Sequence, residues 1–219
     1  MDTLQLIIGN KNYSSWSLRP WLALKHTGAP FTETKVLLYK PGSRQEILHH
    51  NGAGKVPVLK HGNLTVWDSL AICEYLAELF PAAKLWPEAA AARAEARSIS
   101  AEMHSGFGML RSMMPMNARA RGRRVLHTAE LDAEIKRVEE IWNACRAHHM
   151  EGGPYLFGRF SIADAMYAPV ALRFLTYGVQ PKGAAKDYVA TLSAHLPMQE
   201  WLTAAHEEQE VIESSEVGQ

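Results

Sequence analysis

The chain has 219 residues, of which 47% are hydrophobic and 21% charged, and its 23 basic residues balance 23 acidic ones. This length allows one or two domains, and a neutral chain has no long-range field to gather phosphates, which argues against nucleic-acid binding. Because the chain has no apolar run of about 20 residues and no basic, apolar leader, we expect neither a membrane span nor a signal peptide. Two cysteines without metal-ligand spacing favour a reducing compartment, so we expect a cytoplasmic protein.

The first 80 residues alternate short strand-like segments with helical ones. The strand segments show period-two alternation, and His61-Gly62-Asn63 predicts a tight hairpin. In chain order, the predicted elements are a strand at 4–8, a helix at 16–27, a strand at 31–36, a short helix, strands at 56–60 and 64–66, and a helix at 70–79. This order predicts an α/β domain over residues 1–80.

Strand patterns almost vanish in the second part of the chain. The Ala-rich segment 88–97 and the apolar steps within 126–150 each predict a long helix. Ser161-Ile162-Ala163-Asp164 has the form of a capping box, and further helix follows it. We expect the acidic tail, 209–219, to fray. The second domain, 88–219, is therefore predicted to be all helical.

Three serines, Ser14, Ser15 and Ser17, lie between the first strand and the first helix. Free backbone N–H groups point outward at the start of a helix. One interpretation is that a single serine caps this helix. The other is that a hydroxyl donates a hydrogen bond to an anion held at the positive helix end. The residues alone leave both open.

Two later motifs also allow two interpretations. Pro57 opens a strand, a position where proline is permitted. A cis bond before it would leave the N–H and C=O of Val56 free to pair with a peptide. Only about 5% of X–Pro bonds are cis, so the residues alone favour an ordinary trans bond. Asp68 or Ser69 can simply cap the helix that follows. Alternatively, Ser69 and its N–H bind a carboxylate while Asp68 accepts from an ammonium group, a combination that suits one amino-acid end group.

Together these motifs resemble the glutathione transferase family. Residues 4–79 look like its thioredoxin-like N-terminal domain, and the helical remainder is similar to its C-terminal domain. The zeta class, which includes maleylacetoacetate isomerases, is the most similar. Its Ser-Ser-Cys-Ser-x-Arg motif matches residues 14–19, its Val-Pro with a cis bond matches 56–57, and its Glu/Gln-Ser pair matches 68–69. The helix cap at 161–164 matches the second domain of the family.

The resemblance implies that glutathione is the co-substrate, that no metal is needed, and that the partners are a small electrophile and a second copy of the chain in a homodimer. It implies Ser14 as the catalytic hydroxyl that stabilises the glutathione thiolate. One charge-assisted hydrogen bond of about 1.5–3 kcal/mol and a helix dipole of about 0.3–1 kcal/mol suffice to lower the thiol pKa by about two units. The implied glutathione-binding residues are Ser14, Ser15, Lys55, Val56, Asp68 and Ser69.

One departure from the zeta pattern bears on the chemistry. The cysteine of the motif is Trp16 here, and Cys73 and Cys145 lie in helical patterns where they pack, so we predict a serine-type enzyme. In the family, the second-substrate pocket borders the end of the first long helix of the second domain, where we place methionines 109–116. The implied lining residues of this pocket are Ser17, Arg19, Arg111, Met114 and Asn117.

The remaining charged segments give weaker signals. The arginines of 119–124 form a basic cluster, for which a solvated loop is the default interpretation and attraction of an acidic substrate or partner the alternative. The pairs His49-His50 and His148-His149 point to different helix faces, so we predict no metal site.

Three functions stay open on the sequence. The first is a glutathione transferase that attacks a small electrophile. The second is a cis-trans isomerase, in which glutathione adds to a maleyl double bond, permits rotation and leaves. Arg19 is then available for a substrate carboxylate, and structural pairing is the alternative role for it. The third is a transferase-like binding protein without catalysis, against which the intact Ser14, Val56, Asp68 and Ser69 count. Turnover of maleylacetone against a chloro-nitroaromatic distinguishes the first two.

Overall fold

The structure, a computed structural model, describes residues 3–218. Residues 1, 2 and 219, which the predicted domain ranges include, lie outside the described residues. The first part of the chain forms a sheet in the strand order β2-β1-β3-β4, in which only the β1–β2 pair is parallel. Its elements are β1 (Leu4–Ile8), α1 (Ser15–Thr27), β2 (Phe31–Lys35), α2 (Ser43–His50), β3 (Val58–His61), β4 (Leu64–Trp67) and α3 (Ser69–Leu79). The predicted strands and helices of this part are confirmed, with ends that differ by at most two residues.

The strand register brings three chain segments to one edge of the sheet. Ile7 of β1 pairs with Val58 of β3, and Val58 pairs with Trp67 of β4. The loop after β1, the Val56–Pro57 segment before β3 and the Asp68–Ser69 segment after β4 therefore all leave the sheet on the same side. The three motifs that the sequence analysis singled out are neighbours for this reason.

The second part of the chain is helical, as predicted. Its α-helices are α4 (Ala90–Ser105), α5 (Gly108–Met113), α6 (Ala129–His149), α7 (Ile162–Tyr177), α8 (Ala184–Ala194) and α9 (Leu196–Glu207), with short 3-10 turns at Pro81–Ala83, Met150–Gly152 and Glu213–Ser215. No helix within residues 3–218 has the length and apolarity that a membrane crossing requires. The exact domain limits at 80 and 88 stay a prediction.

The end of α4 differs from our expectation. The methionines at 109–116 were predicted near the end of one long helix, but α4 stops at Ser105 and a separate short helix, α5, follows. Phe107 adopts a left-handed conformation with a φ of 58°, between two glycines that are poor helix formers. The guanidinium of Arg111 then donates to carbonyls freed at the helix end, including that of His104 at 3.2 Å.

Helix α7 runs through the centre of the helical part and is buried over almost its whole length. Its first turn is fixed by the predicted capping box: Asp164 is completely buried, and its carboxylate accepts from the backbone N–H of Ser161 at 2.8 Å. The same carboxylate accepts from the Ser161 hydroxyl, from Leu156 N–H and from the Tyr188 hydroxyl, each within 2.9–3.0 Å. Four donors therefore converge on one buried carboxylate.

One hydrophobic core joins the two parts of the chain. Helix α1 packs against α3 of the sheet part and also against α7 and α9 of the helical part. At the α1–α9 contact, the ring centroids of Trp21 and Trp201 are 5.2 Å apart. The continuous core extends from Leu4 in β1 to Ala205 in α9.

The acidic tail packs against the rest of the chain as far as the structure describes it, contrary to our expectation that it frays. Ile212 is only 5% exposed, and the Glu216 carboxylate accepts from Asn117 Nδ2 at 2.8 Å and pairs with Arg123. The guanidinium of Arg119 donates to the backbone carbonyls of residues 208 and 210. The acidic tail thus has cationic and amide partners elsewhere in the chain. The charges of the tail alone do not reveal them.

Candidate active site

The three serines lie buried at the N-terminus of α1. Ser14 occupies the N-cap position, yet its hydroxyl makes no capping hydrogen bond to the described helix backbone. Instead the Ser14 Oγ lies 2.7 Å from the Ser17 Oγ, which accepts a hydrogen bond from Gly9 N–H at 3.1 Å. The simple capping interpretation therefore does not describe this hydroxyl.

The hydroxyl pair can form a relay. A hydroxyl hydrogen is free to rotate, so the Ser14–Ser17 bond can be made with Ser17 as the donor. The chain then runs from Gly9 N–H to Ser17 and from Ser17 to Ser14, and the Ser14 hydrogen can point outward. Serine hydroxyls linked in this way polarise one another, which makes the terminal hydrogen a better donor to an anion.

Val56 and Lys55 lie beside this region at the same edge of the sheet. The Val56–Pro57 bond is cis, as the family resemblance implied. Within residues 3–218 the backbone N–H and C=O of Val56 have no hydrogen-bond partner, while the Lys55 carbonyl accepts from Asn51 Nδ2 at 2.9 Å. Val56 is half-buried and Lys55 exposed, so a peptide backbone can reach the free amide groups of Val56.

Asp68 and Ser69 begin α3 at this edge. One oxygen of the Asp68 carboxylate accepts from the backbone N–H groups of Leu70 at 2.9 Å and Ala71 at 3.2 Å, so the capping interpretation is confirmed. The other oxygen lies 3.1 Å from His104 Nε2 of α4. The Ser69 hydroxyl is buried and has no partner among the described residues. It is therefore an unused hydrogen-bonding group at a helix N-terminus.

Arginines from three helices lie close to the segment Ser15–Trp16 at the start of α1. The guanidinium carbon of Arg19 lies 4.4 Å from the Trp16 ring centroid, and that of Arg111 lies 5.2 Å away. Arg173 of α7 places its Nη2 3.5 Å from the Ser15 Oγ. We call Arg19, Arg111 and Arg173 the arginine cluster.

Two members of the arginine cluster are buried and make no ion pair with any carboxylate of residues 3–218. Arg19 is 1% exposed and Arg173 5%, and Arg19 Nε and Nη1 and Arg173 Nε have no partner in the described part of the chain. Burial, together with the nearby Arg173 and Arg111, lowers the pKa of Arg19 to about 9. Burial and Arg111 likewise lower the pKa of Arg173 to about 10, so both stay charged at neutral pH. Buried charges without counterions are costly, which indicates a place for an anion.

Three of the predicted second-substrate residues have structural partners. Arg111 closes the end of α4, Met114 is fully buried, and Asn117 is 2% exposed. The Asn117 amide accepts from Asn12 Nδ2 at 3.0 Å and donates to Glu216. The guanidinium of Arg111 also faces Trp16, so Arg111 can still contact a substrate there. Met114 and Asn117 are too deeply buried to offer a substrate much surface.

Two arginines of the basic cluster and both cysteines contribute to the packing of the fold. Arg119 and Arg123 hold the tail, so the solvated-loop interpretation of the basic cluster is wrong for both. Cys73 and Cys145 are buried free thiols whose pKa values are raised by burial, in agreement with a packing role. Among residues 3–218, no group of three His, Cys, Asp or Glu side chains could hold a metal ion.

Sequence reasoning missed two side chains of the site, His104 and Arg173. His104 packs edge-on against Trp16, with ring centroids 5.3 Å apart, and connects Trp16 to Asp68. Both residues stand singly in helices of the second domain, 35 or more positions from any site motif. No local pattern distinguishes them from surface residues.

Comparisons with known proteins agree with this architecture. Residues 13–79 match the family model of the glutathione S-transferase N-terminal domain, and residues 128–204 match that of the C-terminal domain. Maleylacetoacetate isomerase of Rattus norvegicus is 31% identical over 160 residues, which are 71% of this chain and 70% of the rat protein. Glutathione S-transferase 1 of Dianthus caryophyllus is 38% identical over 88 residues, 40% of each chain.

A solved structure shows the same fold. A glutathione transferase homologue from Burkholderia gl BGR1, with bound glutathione, superposes with a TM-score of 0.69 at 24% identity and covers 95% of this chain and 100% of its own. Fold and site thus define a protein with a thioredoxin-like sheet domain, an all-helical second domain, and buried serines and arginines where the two meet. The chain belongs to the glutathione S-transferase family.

Proposed function

We propose that the protein binds glutathione at the sheet edge and activates its thiol for attack on a small electrophile. The observation that supports this most directly is the convergence of the Ser14–Ser17 hydroxyl pair, the free backbone of Val56 and the N-terminus of α3 on one edge. Val56 would pair with the glutathione backbone next to Lys55. Asp68 and Ser69 would hold the γ-glutamyl end, and Ser14, next to Ser15, would face the sulfur.

The site has the means to ionise the thiol. A free thiol has a pKa of about 8.5 and is a poor nucleophile until it loses its proton. The Ser14 hydroxyl and the positive end of α1 both favour the thiolate, by about 1.5–3 and 0.3–1 kcal/mol. Each 1.36 kcal/mol lowers the pKa by one unit, so together they bring it near neutrality.

The arginine cluster suggests that the electrophile carries a carboxylate. A carboxylate between Arg19 and Arg173 would supply the anion that both buried guanidinium groups lack. The Trp16 ring, whose centroid lies 4.4 Å from the Arg19 guanidinium carbon, stands beside the serines. The electrophile would therefore be bound by its acid group, with its reactive carbon presented to the sulfur.

A second candidate function is a glutathione-dependent cis-trans isomerase. The same arginine cluster suits an unsaturated diacid, and the rat relative has the name of such an isomerase. Both functions use the same thiolate and differ in whether the adduct with glutathione is released as product or collapses after rotation. Comparing turnover of maleylacetone and of a chloro-nitroaromatic, with and without glutathione, decides between them.

Replacing Arg173 by glutamine tests the carboxylate site. We expect the KM of a carboxylated electrophile to rise about 10- to 150-fold, the equivalent of one charge-assisted hydrogen bond, and the KM of a neutral chloro-nitroaromatic to stay constant. Arg137→Gln, which removes a surface pair with Glu102, is the control for loss of one positive charge. Equal losses for acidic and neutral electrophiles would contradict a carboxylate site.

We also propose a homodimer, in which the sheet part of one chain faces the helical part of the other. Leu64 and Trp67 on the edge strand β4 are 46% and 54% exposed, an apolar surface that a partner would cover. The small alanines 89–96, at the start of α4, would let another helix approach closely. Light scattering should give about 49 kDa, twice the 24.4 kDa chain. A mass near 24 kDa at all micromolar concentrations would refute the dimer.

We place the protein in the cytoplasm. Cys73 and Cys145 are unpaired, buried thiols, which suits a reducing compartment where glutathione is abundant.

A further inference from the structure

The loop that precedes Ser14 is held by the helical domain. The backbone carbonyl of Asn12 accepts from Ala118 N–H at 3.0 Å, and the Asn12 side chain accepts from Arg119 N–H at 2.8 Å. The carbonyl of Lys11 accepts from Trp201 Nε1 at 2.9 Å. The conformation of this loop therefore depends on residues more than 100 positions away.

Glu208, just after α9, makes the central contact to this loop. Its side chain is only 3% exposed. Oε1 accepts from Lys11 N–H at 2.8 Å and Oε2 accepts from Asn12 N–H at 3.0 Å, so one carboxylate takes two successive backbone amides. Lys35 Nζ lies 3.2 Å from Oε1 and neutralises the charge.

The two amides belong to the turn that sets the position of Ser14. Within this turn the carbonyl of Asn10 accepts from the N–H groups of Tyr13 at 3.1 Å and Ser14 at 2.8 Å. A shift of Lys11 and Asn12 would be transmitted directly to Ser14, because only Tyr13 separates them. Hydrogen bonds from backbone N–H to a carboxylate are the strong, charge-assisted kind, so their removal should loosen the turn.

We propose that Glu208 is a positioning residue that holds the Ser14 hydroxyl at the glutathione sulfur. This inference rests on the proposed function of Ser14. Glu208 acts on the turn before α1, whereas Val56, Asp68 and Ser69 lie on other segments. Its loss should therefore affect ionisation of the bound thiol and leave glutathione affinity nearly unchanged.

Glu208→Gln provides the test. The amide keeps one acceptor but places an NH₂ against the second backbone N–H, so one of the two hydrogen bonds is lost. We expect the pKa of bound glutathione, followed by the ultraviolet absorbance of the thiolate, to rise by about one unit. The acid limb of the kcat profile should move to higher pH by the same amount, because less thiolate is present at each pH below the new pKa. At neutral pH kcat should fall about fivefold, while the Kd of glutathione changes less than about threefold.

Glu207→Gln is the matched control, since Glu207 is the exposed neighbour of Glu208 and the substitution removes the same charge. It should leave the thiol pKa unchanged. Glu208→Asp, which keeps the charge but withdraws the carboxylate by one methylene, should raise the thiol pKa in the same direction. It is the test to use if Glu208→Gln does not fold, as judged by circular dichroism.

Three outcomes would contradict the role of Glu208 or of Ser14, and they can be told apart. If Ser14→Ala raises the thiol pKa but folded Glu208→Gln and Glu208→Asp do not, Glu208 only anchors the tail and the inference is overturned. If Ser14→Ala itself leaves the thiol pKa unchanged, the proposed activation of the thiol by Ser14 is wrong, whatever the Glu208 variants show. A loss of glutathione affinity in Glu208→Gln without a change in thiol pKa also overturns the inference.

Discussion

Replacing Ser14 with alanine should reduce glutathione-dependent turnover by about 5- to 80-fold at neutral pH, while glutathione still binds. The reduction corresponds to one charge-assisted hydrogen bond of about 1.5–3 kcal/mol to the thiolate. Because this bond favours the ionised form, its loss raises the pKa of the bound thiol by about one to two units. The rate should therefore recover as the pH is raised above the new pKa.

The measurement is a pH profile of kcat together with the thiolate absorbance of the complex. Ser98→Ala, on the exposed face of α4, is the control for loss of a serine hydroxyl. Ser17→Ala should show a smaller shift in the same direction, since Ser17 only orients the hydroxyl of Ser14. Full activity of Ser14→Ala with an inactive Ser15→Ala or Ser17→Ala would move the assignment along the motif. Three neutral variants would refute serine activation.

Replacing Asp164 with alanine should lower the free energy of unfolding by about 3–5 kcal/mol, the cost of breaking a buried polar network. Four donors converge on this carboxylate, including Leu156 N–H and the Tyr188 hydroxyl, and all would lose their acceptor inside the core. Urea unfolding followed by tryptophan fluorescence measures the loss. Asp187→Ala, at an exposed position of α8, should change the free energy by less than about 0.5 kcal/mol. A similar small change in Asp164→Ala would contradict the network.

The effect of Asp164 also depends on pH with a definite sign. Burial raises the pKa of this carboxyl to about 6, against the opposing effect of its hydrogen bonds. In an unfolded chain the pKa is about 3.9, so the folded protein holds the proton more tightly between these values. The contribution of Asp164 to stability is therefore largest below about pH 4 and declines as the pH rises to about 6. The difference between wild type and Asp164→Ala should be larger at pH 4 than at pH 7.

The sequence predicted the local parts of the protein well. Strand and helix patterns mark the elements of the sheet part, since these elements bury apolar side chains in one or the other of two hydrophobic clusters. The site motifs at Ser14, Val56 and Asp68 were recognisable because each lies in a short segment with unusual backbone or capping requirements. The helical pattern was misleading at Gly106–Phe107. Two weak helix formers end α4 there, the Arg111 side chain donates to the freed carbonyl of His104, and a second helix follows.

The parts that the sequence did not predict are those that depend on tertiary packing. His104, Arg173 and Glu208 stand singly in helical or acidic segments and join the site only because α4, α7 and the tail pack against α1 and its preceding loop. The tail illustrates the reason: its composition resembles that of a solvated end, and its partners Arg119 and Arg123 lie about 90 positions earlier. A pattern within one segment cannot reveal a partner of this kind.

Helix α1 belongs to both halves of the molecule, and this limits how the two halves can be separated. Trp21 packs against Trp201. A fragment that ends near residue 80 would therefore expose the Trp21 indole and much of the α1 surface to water. The halves should therefore melt as one cooperative unit, and a ligand that binds to the sheet edge should protect α9 from proteolysis as well. The same contact restricts chimeras: a helical domain from another family member would need a side chain that fits against Trp21 before the hybrid could fold.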